Sequence, residues 1–308
     1  MITVLVAVYN GEKYLKEQLD SILNQTCKEI NIIVSDDVSS DGSRAIIRSY
    51  AEKMPERIVP VFRSEPSGSA ENHFLWLLSQ ADDDYIMLSD QDDVWFPDKA
   101  ECLLAKIREM ETDYGRDMPI LVHSDMEVVD EELHVTADSY FRYQKISPER
   151  NKLSQQLVQS NVTGGAVMIN RRMLAYLKQV PEVCLMHDSW MALIAASFGK
   201  IGWVERPLYL YRQHGGNTLG ARRADTLEEA GERLRDGSRA RENYRRMFGQ
   251  AQCLLDLYED LLDETQKETL RAFIRLKDQG RFIKIRNMVK YGFTKNSLKR
   301  TIGQMMFM

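Results

Sequence analysis

Two hydrophobic rhythms alternate along the first ninety residues. Residues 2–9, Ile-Thr-Val-Leu-Val-Ala-Val-Tyr, are an almost unbroken apolar run, which predicts a strand buried on both faces. Asn10-Gly11 breaks the run, and Leu15, Leu19, Ile22 and Leu23 then recur at helical spacing. The cycle repeats with a strand at 30–35 ending in Asp36-Asp37, a turn at Ser40–Ser43 and a helix from Ala45 to Met54. A strand over Ile58–Phe62, a Pro-Ser-Gly-Ser turn at 66–69, a helix over about Ala70–Ser79 and a strand at 85–89 complete it. This alternation predicts an α/β fold with a mostly parallel central sheet and helices on both faces. Ligands of such sheets sit beyond the carboxyl ends of the strands. Tyr9, Asp36-Asp37 and Asp90–Asp92 all fall there.

Farther along, Asp98 and Glu101 have the spacing of a capping box opening a helix to about Thr112. Ile120–Ser124 reads as a strand, whereas 126–160 carries no clear period. Gly164-Gly165 forms a turn before a short strand at 166–169, and His187-Asp188 opens a helix to Phe198. Ile201–Val204 and Leu208–Tyr211 read as two short strands. Past Gly220 the character changes. Residues 221–243 are rich in Arg and Glu and read as an exposed, mobile connection. Tyr244, Met247, Phe248, Ala251, Leu254, Leu255, Tyr258, Leu261 and Leu262 then share a helical face, and Leu270, Phe273 and Ile274 predict a second helix. The expected organisation is a catalytic α/β domain over 1–220 and a helical hairpin with a basic end over 221–308.

The densest chemistry lies in Tyr85–Trp95, where an apolar run ends in Asp90, Asp92 and Asp93. Three carboxylates this close repel one another unless a cation or solvent relieves them. Hard oxygen ligands suit Mg²⁺ or Mn²⁺, ions that usually carry phosphate oxygens. The competing reading is a solvated acidic loop.

Composition narrows the setting. The 308 residues are 44% hydrophobic, enough for a sizeable core, and no apolar run approaches the ~20 residues of a membrane span. Met1-Ile2-Thr3-Val4 lacks the features of a signal peptide, and Cys27, Cys102, Cys184 and Cys253 are too scattered for a metal site. Both point to a reducing cytoplasm. The net charge of -5 is uneven. Residues 281–308 hold Arg281, Lys284, Arg286, Lys290, Lys295, Lys299, Arg300 and no acid, which leaves 34 basic against 46 acidic residues before them. An acidic body argues against a nucleic-acid binder. A basic tail with Phe282, Ile285, Met288, Val289, Tyr291 and Phe293 suits an anionic membrane surface, or a helix packed on its own domain.

The order of these motifs resembles family 2 glycosyltransferases, inverting enzymes of the GT-A fold. The matching segments are Val6–Glu12, Val34–Gly42, Leu88–Trp95, Gly164-Gly165, His187–Trp190 and Tyr211–His214. The pairing of Ser-Asp-Gln-Asp-Asp-Val-Trp with His-Asp-Ser-Trp is most similar to bacterial rhamnosyltransferase-type members that build surface polysaccharide. The resemblance implies a nucleotide-sugar donor, with dTDP-rhamnose first and UDP-hexoses next, and a glycan or lipid-linked acceptor. It implies that Val8, Tyr9, Glu12 and Asp36 hold the nucleoside. Asp90-Gln91-Asp92 would be the D-x-D motif, with Asp90 on the ribose or on metal-bound water. Asp92 and His214 would be ligands of Mn²⁺ or Mg²⁺, and Asp188 the general base. Trp95, Gly165 and Trp190 would meet the acceptor. Core packing competes for both tryptophans and a helix cap for Asp188. Two departures stand out: Val38 occupies the usual glycine of Asp-Asp-Gly-Ser, and His187 the usual glutamate before the base.

Two other functions compete. Asp90-Gln91-Asp92-Asp93-Val94 formally matches the nucleophile motif of haloacid dehalogenase-type phosphohydrolases, and a GT-like fold can bind a nucleotide sugar without turnover. A dinucleotide oxidoreductase fits less well, since no G-x-G-x-x-G follows the first strand.

Overall fold

The computed structural model describes residues 1–215, 220–221 and 237–307, the side chains of 237–240 and 306–307 excepted. The predicted connection at 221–243 therefore lies largely outside the described residues. Two compact units emerge. One comprises Met1–Tyr140, Thr163–Val180 and Ile201–Ala221; the other comprises Phe141–Val162, Pro181–Lys200 and Arg222–Met308. Each draws on separate stretches of chain, so neither corresponds to a single cut at 220.

The first unit is built on a nine-stranded sheet with the order β3-β2-β1-β4-β8-β6-β9-β5, in which β5 is Val94–Trp95, and with β7 beside β6. Strands β1 (Ile2–Val8), β2 (Ile30–Asp36), β3 (Ile58–Phe62) and β4 (Tyr85–Ser89) are mutually parallel. Beyond β4, β8 (Val167–Asn170) runs antiparallel to both β4 and β6 (Ile120–Val129), so β6 runs in the same sense as β4. Val4, Val6, Ile32 and Val34 are fully enclosed because helices cover both faces. Those helices include α1 (Leu15–Leu23), α2 (Ser43–Lys53), α3 (Ala70–Gln80), α4 (Lys99–Tyr114) and α7 (Arg171–Leu177).

Two expectations are corrected, and one unread stretch is resolved. Asp98 makes no side-chain cap on α4; its carboxylate binds Arg206 instead, and Glu101 accepts from Thr26 Oγ1 at 2.7 Å. An arginine outcompetes a backbone N–H for a carboxylate in reach of both. The two short strands expected at 201–211 are one strand, β9 (Lys200–Arg212), continuous through Pro207. The polar Glu205-Arg206 and the proline mimic a break, but a strand tolerates proline where the ladder needs no donor. The unreadable stretch contains β7 (Val135–Ala137), α5 (Tyr140–Gln144) and α6 (Leu153–Gln156), elements too short for a period to register.

The second unit is helical. Helices α8 (His187–Phe198), α9 (Gly237–Tyr258) and α10 (Glu264–Arg275) bury Trp190, Ala251, Leu254, Tyr258, Leu270 and Phe273. Leu261, expected on the buried face, is 62% exposed. The expected hairpin continues into α11 (Arg281–Tyr291) and α12 (Leu298–Phe307), so the basic tail is helical. Among the described residues no helix is long and apolar enough to cross a membrane.

Candidate active site

The carboxyl ends of β1, β2 and β4 are tied by hydrogen bonds between loops distant in sequence. Gln91 Oε1 accepts from the Tyr9 N–H at 2.8 Å, and Gln91 Nε2 donates to the Tyr9 carbonyl at 3.0 Å. The Asp37 N–H donates to the Val8 carbonyl at 2.8 Å. Asn10 receives a bond from the Ser40 N–H, and its own N–H donates to Ser39 Oγ, both at 2.9 Å. Glu12 Oε2 accepts the Gly42 N–H at 2.8 Å, directly before α2. Of the expected donor-binding residues, Val8 is buried, Tyr9 presents a 58% exposed side chain, and Glu12 and Gln91 serve as braces.

Asp36 is enclosed. Its Oδ2 accepts Arg44 Nε at 2.6 Å and the Ser39 N–H at 3.2 Å, while Oδ1 has no hydrogen-bond partner among the described residues. An orphaned buried acceptor is costly, so a ligand N–H that uncovers it would gain a strong bond. Next to it, Val38 has φ 63°, a left-handed conformation that β-branched residues avoid. The flanking bonds of Asp37 and Ser39 over-determine the turn and hold that strain. Val38→Gly should therefore raise stability by about 0.5–1 kcal/mol, the relief of strain less the glycine's greater unfolded entropy. Calorimetry checks this, and an unchanged or lower Tm would show the strain to be negligible.

The acidic cluster is held from the far side of the sequence. His214 Nε2 lies 2.8 Å from Asp92 Oδ2, and both side chains are 13% exposed. Arg212 sets this geometry. Its N–H donates to Asp93 Oδ1 at 3.2 Å, Nε to the Asp92 carbonyl at 2.9 Å and Nη1 to the Glu131 carbonyl at 2.6 Å, and Nη2 pairs with Glu17. Its guanidinium lies over Tyr14, whose ring is 4.8 Å from His214. Gln18, on α1, donates to Ser89 Oγ at 2.6 Å and steadies the end of β4.

Asp93 is 1% exposed, and burial with the charges of Asp92 and Asp90 holds its carboxyl well above the usual range. Lys99, at the start of α4, is fully enclosed. Its Nζ donates to the Gly165 carbonyl at 2.5 Å and lies 3.8 Å from the Trp95 ring centre and 4.0 Å from that of Tyr209. Burial pushes its ammonium well below the ordinary lysine value, against the pull of Asp93 and Asp90. A Cβ at Gly165 would fit tightly, 3.2 Å from Asp93 Oδ2 and 3.4 Å from Asp90 Oδ2, so a side chain there would press on both carboxylates.

Trp95 and Trp190 are core residues, 3% and 0% exposed, the latter packed near Tyr258. Neither offers a ring face to a sugar, so packing accounts for both. Asp188 and Trp190 belong to the second unit, and Asp90, Asp92 and His214 to the first. The N-cap of α8 is Met186, without a side-chain cap bond, so Asp188 is not the cap.

Lys99 and Arg212 were not among the expected site residues. Lys99 shortly after the acidic motif and Arg212 within the Tyr211–His214 segment were the available signal, but their contacts are tertiary. Among the described residues, one group of three or more potential ligands meets a common metal distance: Asp130, Glu132 and His134, on an exposed turn. Asp130 Oδ1 accepts the N–H groups of Glu132 and His134 at 3.0 and 2.8 Å, which accounts for that grouping as turn chemistry. A cavity of about 410 Å³ bordered by Met1, Asp84 and Arg171 lies at the amino-terminal edge of the strands, away from the carboxylates.

Residues 3–177 match the profile described as "Glycosyl transferase family 2". The chain belongs to that family. It is 29% identical over 225 residues to the dTDP-rhamnosyl transferase RfbG of Shigella flexneri, covering 70% of this chain and 74% of that protein. The fold of this family 2 glycosyltransferase is similar to S. aureus TarS 1-349 solved in complex with UDP-GlcNAc: TM-score 0.61, 15% identity, 94% of this chain and 72% of the other. The mannosyltransferase PcManGT of Pyrobaculum calidifontis, solved with GDP-Man and Mn²⁺, gives a TM-score of 0.55 at 16% identity, over 94% and 73% of the two chains. The GT-A fold and glycosyltransferase class expected of the motifs both hold. The phosphohydrolase and non-catalytic readings are superseded.

Proposed function

We propose that this enzyme is a metal-dependent, inverting glycosyltransferase of cell-surface polysaccharide synthesis. It transfers a sugar, with rhamnose from dTDP-rhamnose the leading choice, to a hydroxyl of a glycan or lipid-linked acceptor. The observation that carries the reading is the pairing of Asp92 with His214 across 122 residues of chain, beside Asp90 and Gln91 at the strand ends. One carboxylate oxygen and one imidazole nitrogen fit Mn²⁺ better than the all-oxygen preference of Mg²⁺, and two ligands leave room for diphosphate oxygens. The similarity to RfbG supports the sugar, and the Mn²⁺ bound by PcManGT supports the metal.

In this reading Tyr9, Glu12 and Asp36 hold the nucleoside, with Val8 lending its backbone. Asp90 holds the ribose, Gln91 fixes the Tyr9 backbone, and Gly165 admits the substrate close to the chain. A divalent ion held by Asp92 and His214 would supply positive charge for the departing diphosphate. Asp188 takes the proton of the acceptor hydroxyl as that oxygen attacks C1 of the donor sugar. The bond to the diphosphate breaks on the opposite face, and the anomeric centre inverts. All residues given binding or catalytic roles lie within 1–220, and the basic helices α11 and α12 lie within 221–308. The reading is tested by calorimetric titration with dTDP, UDP and GDP, each with Mn²⁺, Mg²⁺ or EDTA. Metal-dependent binding of one of them supports it and names the base; binding of none overturns it.

The helical extension supports a location at the inner face of the membrane, where a lipid-linked acceptor would be presented. On α11, Phe282, Ile283 and Val289 are 89%, 51% and 66% exposed, on one face with Arg286 and Lys290. On α12, Leu298 and Ile302 are 77% and 50% exposed, with Lys299 between them in sequence. Exposed apolar groups among cations match an anionic interface. Met288 and Phe293 are buried, so truncating the tail would also strip core. Phe282→Ser with Val289→Ser is the cleaner variant. It should lose flotation with vesicles containing phosphatidylglycerol, and undiminished flotation would overturn the membrane assignment.

A further inference from the structure

We propose that Lys99 is an internal counter-cation for the Asp90–Asp93 cluster, a positioning residue that holds the carboxylates and Gly165 together before any divalent ion arrives. An ammonium excluded from water is retained only where other groups replace its hydration. Lys99 has three such groups in contact: the Gly165 carbonyl at 2.5 Å and the faces of Trp95 and Tyr209, at 3.8 and 4.0 Å from the ring centres. All three are neutral. The charge that answers the ammonium lies on the other side of Gly165. Asp93 Oδ2, buried and without a hydrogen-bond partner among the described residues, is 3.2 Å from where a Gly165 Cβ would stand, and Asp90 Oδ2 is 3.4 Å from it.

Gly165 is therefore a spacer one residue thick. Its carbonyl takes the ammonium, and the space where a side chain would start is bordered by the two carboxylates. Arg212 donates its N–H to Asp93, and its guanidinium engages the Asp92 and Glu131 carbonyls and Glu17. Lys99 is a fully buried side-chain cation beside the cluster. The aromatic faces set its height, because an ammonium prefers the centre of a π-face to its edge. The same charge repels a divalent ion at Asp92, so the site favours an ion arriving with the donor diphosphate over a bare one. That second consequence rests on the metal role proposed for Asp92, whereas the Lys99–carboxylate coupling does not.

The experiment is a double-mutant cycle on the full chain with Lys99→Met, Asp93→Asn and the combination, read by thermal unfolding and by Mn²⁺ titration. Lys99→Met should lower Tm by about 10 °C, the usual consequence of stranding one partner of a buried charge pair. The decisive feature is a change of sign. Asp93→Asn should destabilise the wild type but stabilise the Lys99→Met protein, because there it removes an uncompensated charge. If Lys99→Met does not fold, recovery of a folded double variant supports the inference. A double variant that fails to fold where Asp93→Asn alone folds overturns it. Equal effects of Asp93→Asn in both backgrounds also overturn it, since a lysine that only fills space would behave so. Mn²⁺ should bind the Lys99→Met protein about tenfold more tightly than wild type once the like charge is gone. Unchanged Mn²⁺ affinity would overturn the claim that Lys99 sets the strength of the metal site. Absence of Mn²⁺ binding to every form would overturn the metal reading instead, and the thermal cycle would still decide the role of Lys99.

Discussion

Asp188→Asn is expected to lower kcat by about 10²–10⁴-fold, the usual worth of a general base. Binding of the nucleoside diphosphate should stay within about twofold, since that reading assigns no donor contact to Asp188. The substitution keeps the shape of the side chain and removes its ability to take a proton. Local structure should survive it. The N-cap of α8 is Met186, and the start of the helix is held by other residues: Gln250 accepts the Leu185 N–H at 2.8 Å and donates to Ser189 Oγ at 3.1 Å. The neighbouring Trp190 is fully buried. Steady-state kinetics paired with nucleotide titration separate the two effects. Activity within tenfold of wild type would remove Asp188 from the mechanism, and simultaneous loss of donor binding would make it a structural residue.

Asp92→Ala is expected to weaken nucleoside diphosphate binding by about a hundredfold in Mn²⁺ and to change it little in EDTA. The variant removes the carboxylate that faces His214 and spares the backbone, because Arg212 Nε binds the Asp92 carbonyl and not its side chain. Calorimetric titration of wild type and variant, with each nucleotide and with metal or chelator, gives four affinities per nucleotide. A loss of equal size in EDTA would mean that Asp92 acts on folding or directly on the nucleotide, and not through an ion.

The parallel half of the sheet was legible in outline. Strands β1 to β4 begin where the apolar runs begin, because a strand covered on both faces must be apolar throughout, and that condition is visible in the residues themselves. Position at a strand end also brought Tyr9, Gln91, Asp90 and Asp92 forward as a group. Elsewhere local pattern misled. Asp98 has the spacing of a cap yet is claimed by Arg206, 108 residues away. Pro207 reads as a strand break yet lies within β9. Trp95 and Trp190 look equally suited to a sugar or a core until their burial is known.

The sequence by itself determined the alternating α/β architecture, the family and the carboxylate motif at the end of β4. Each of these follows from periodicity or from motifs of a few consecutive residues. Only the tertiary structure decided that His214 faces Asp92, that Arg212 bridges Asp92, Asp93, Glu131 and Glu17, and that Lys99 lies enclosed beneath Gly165. Those contacts join residues 66 to 195 positions apart. Hydrogen bonds and burial depend on distance in space, and at such separations only the packing of the sheet and helices sets that distance.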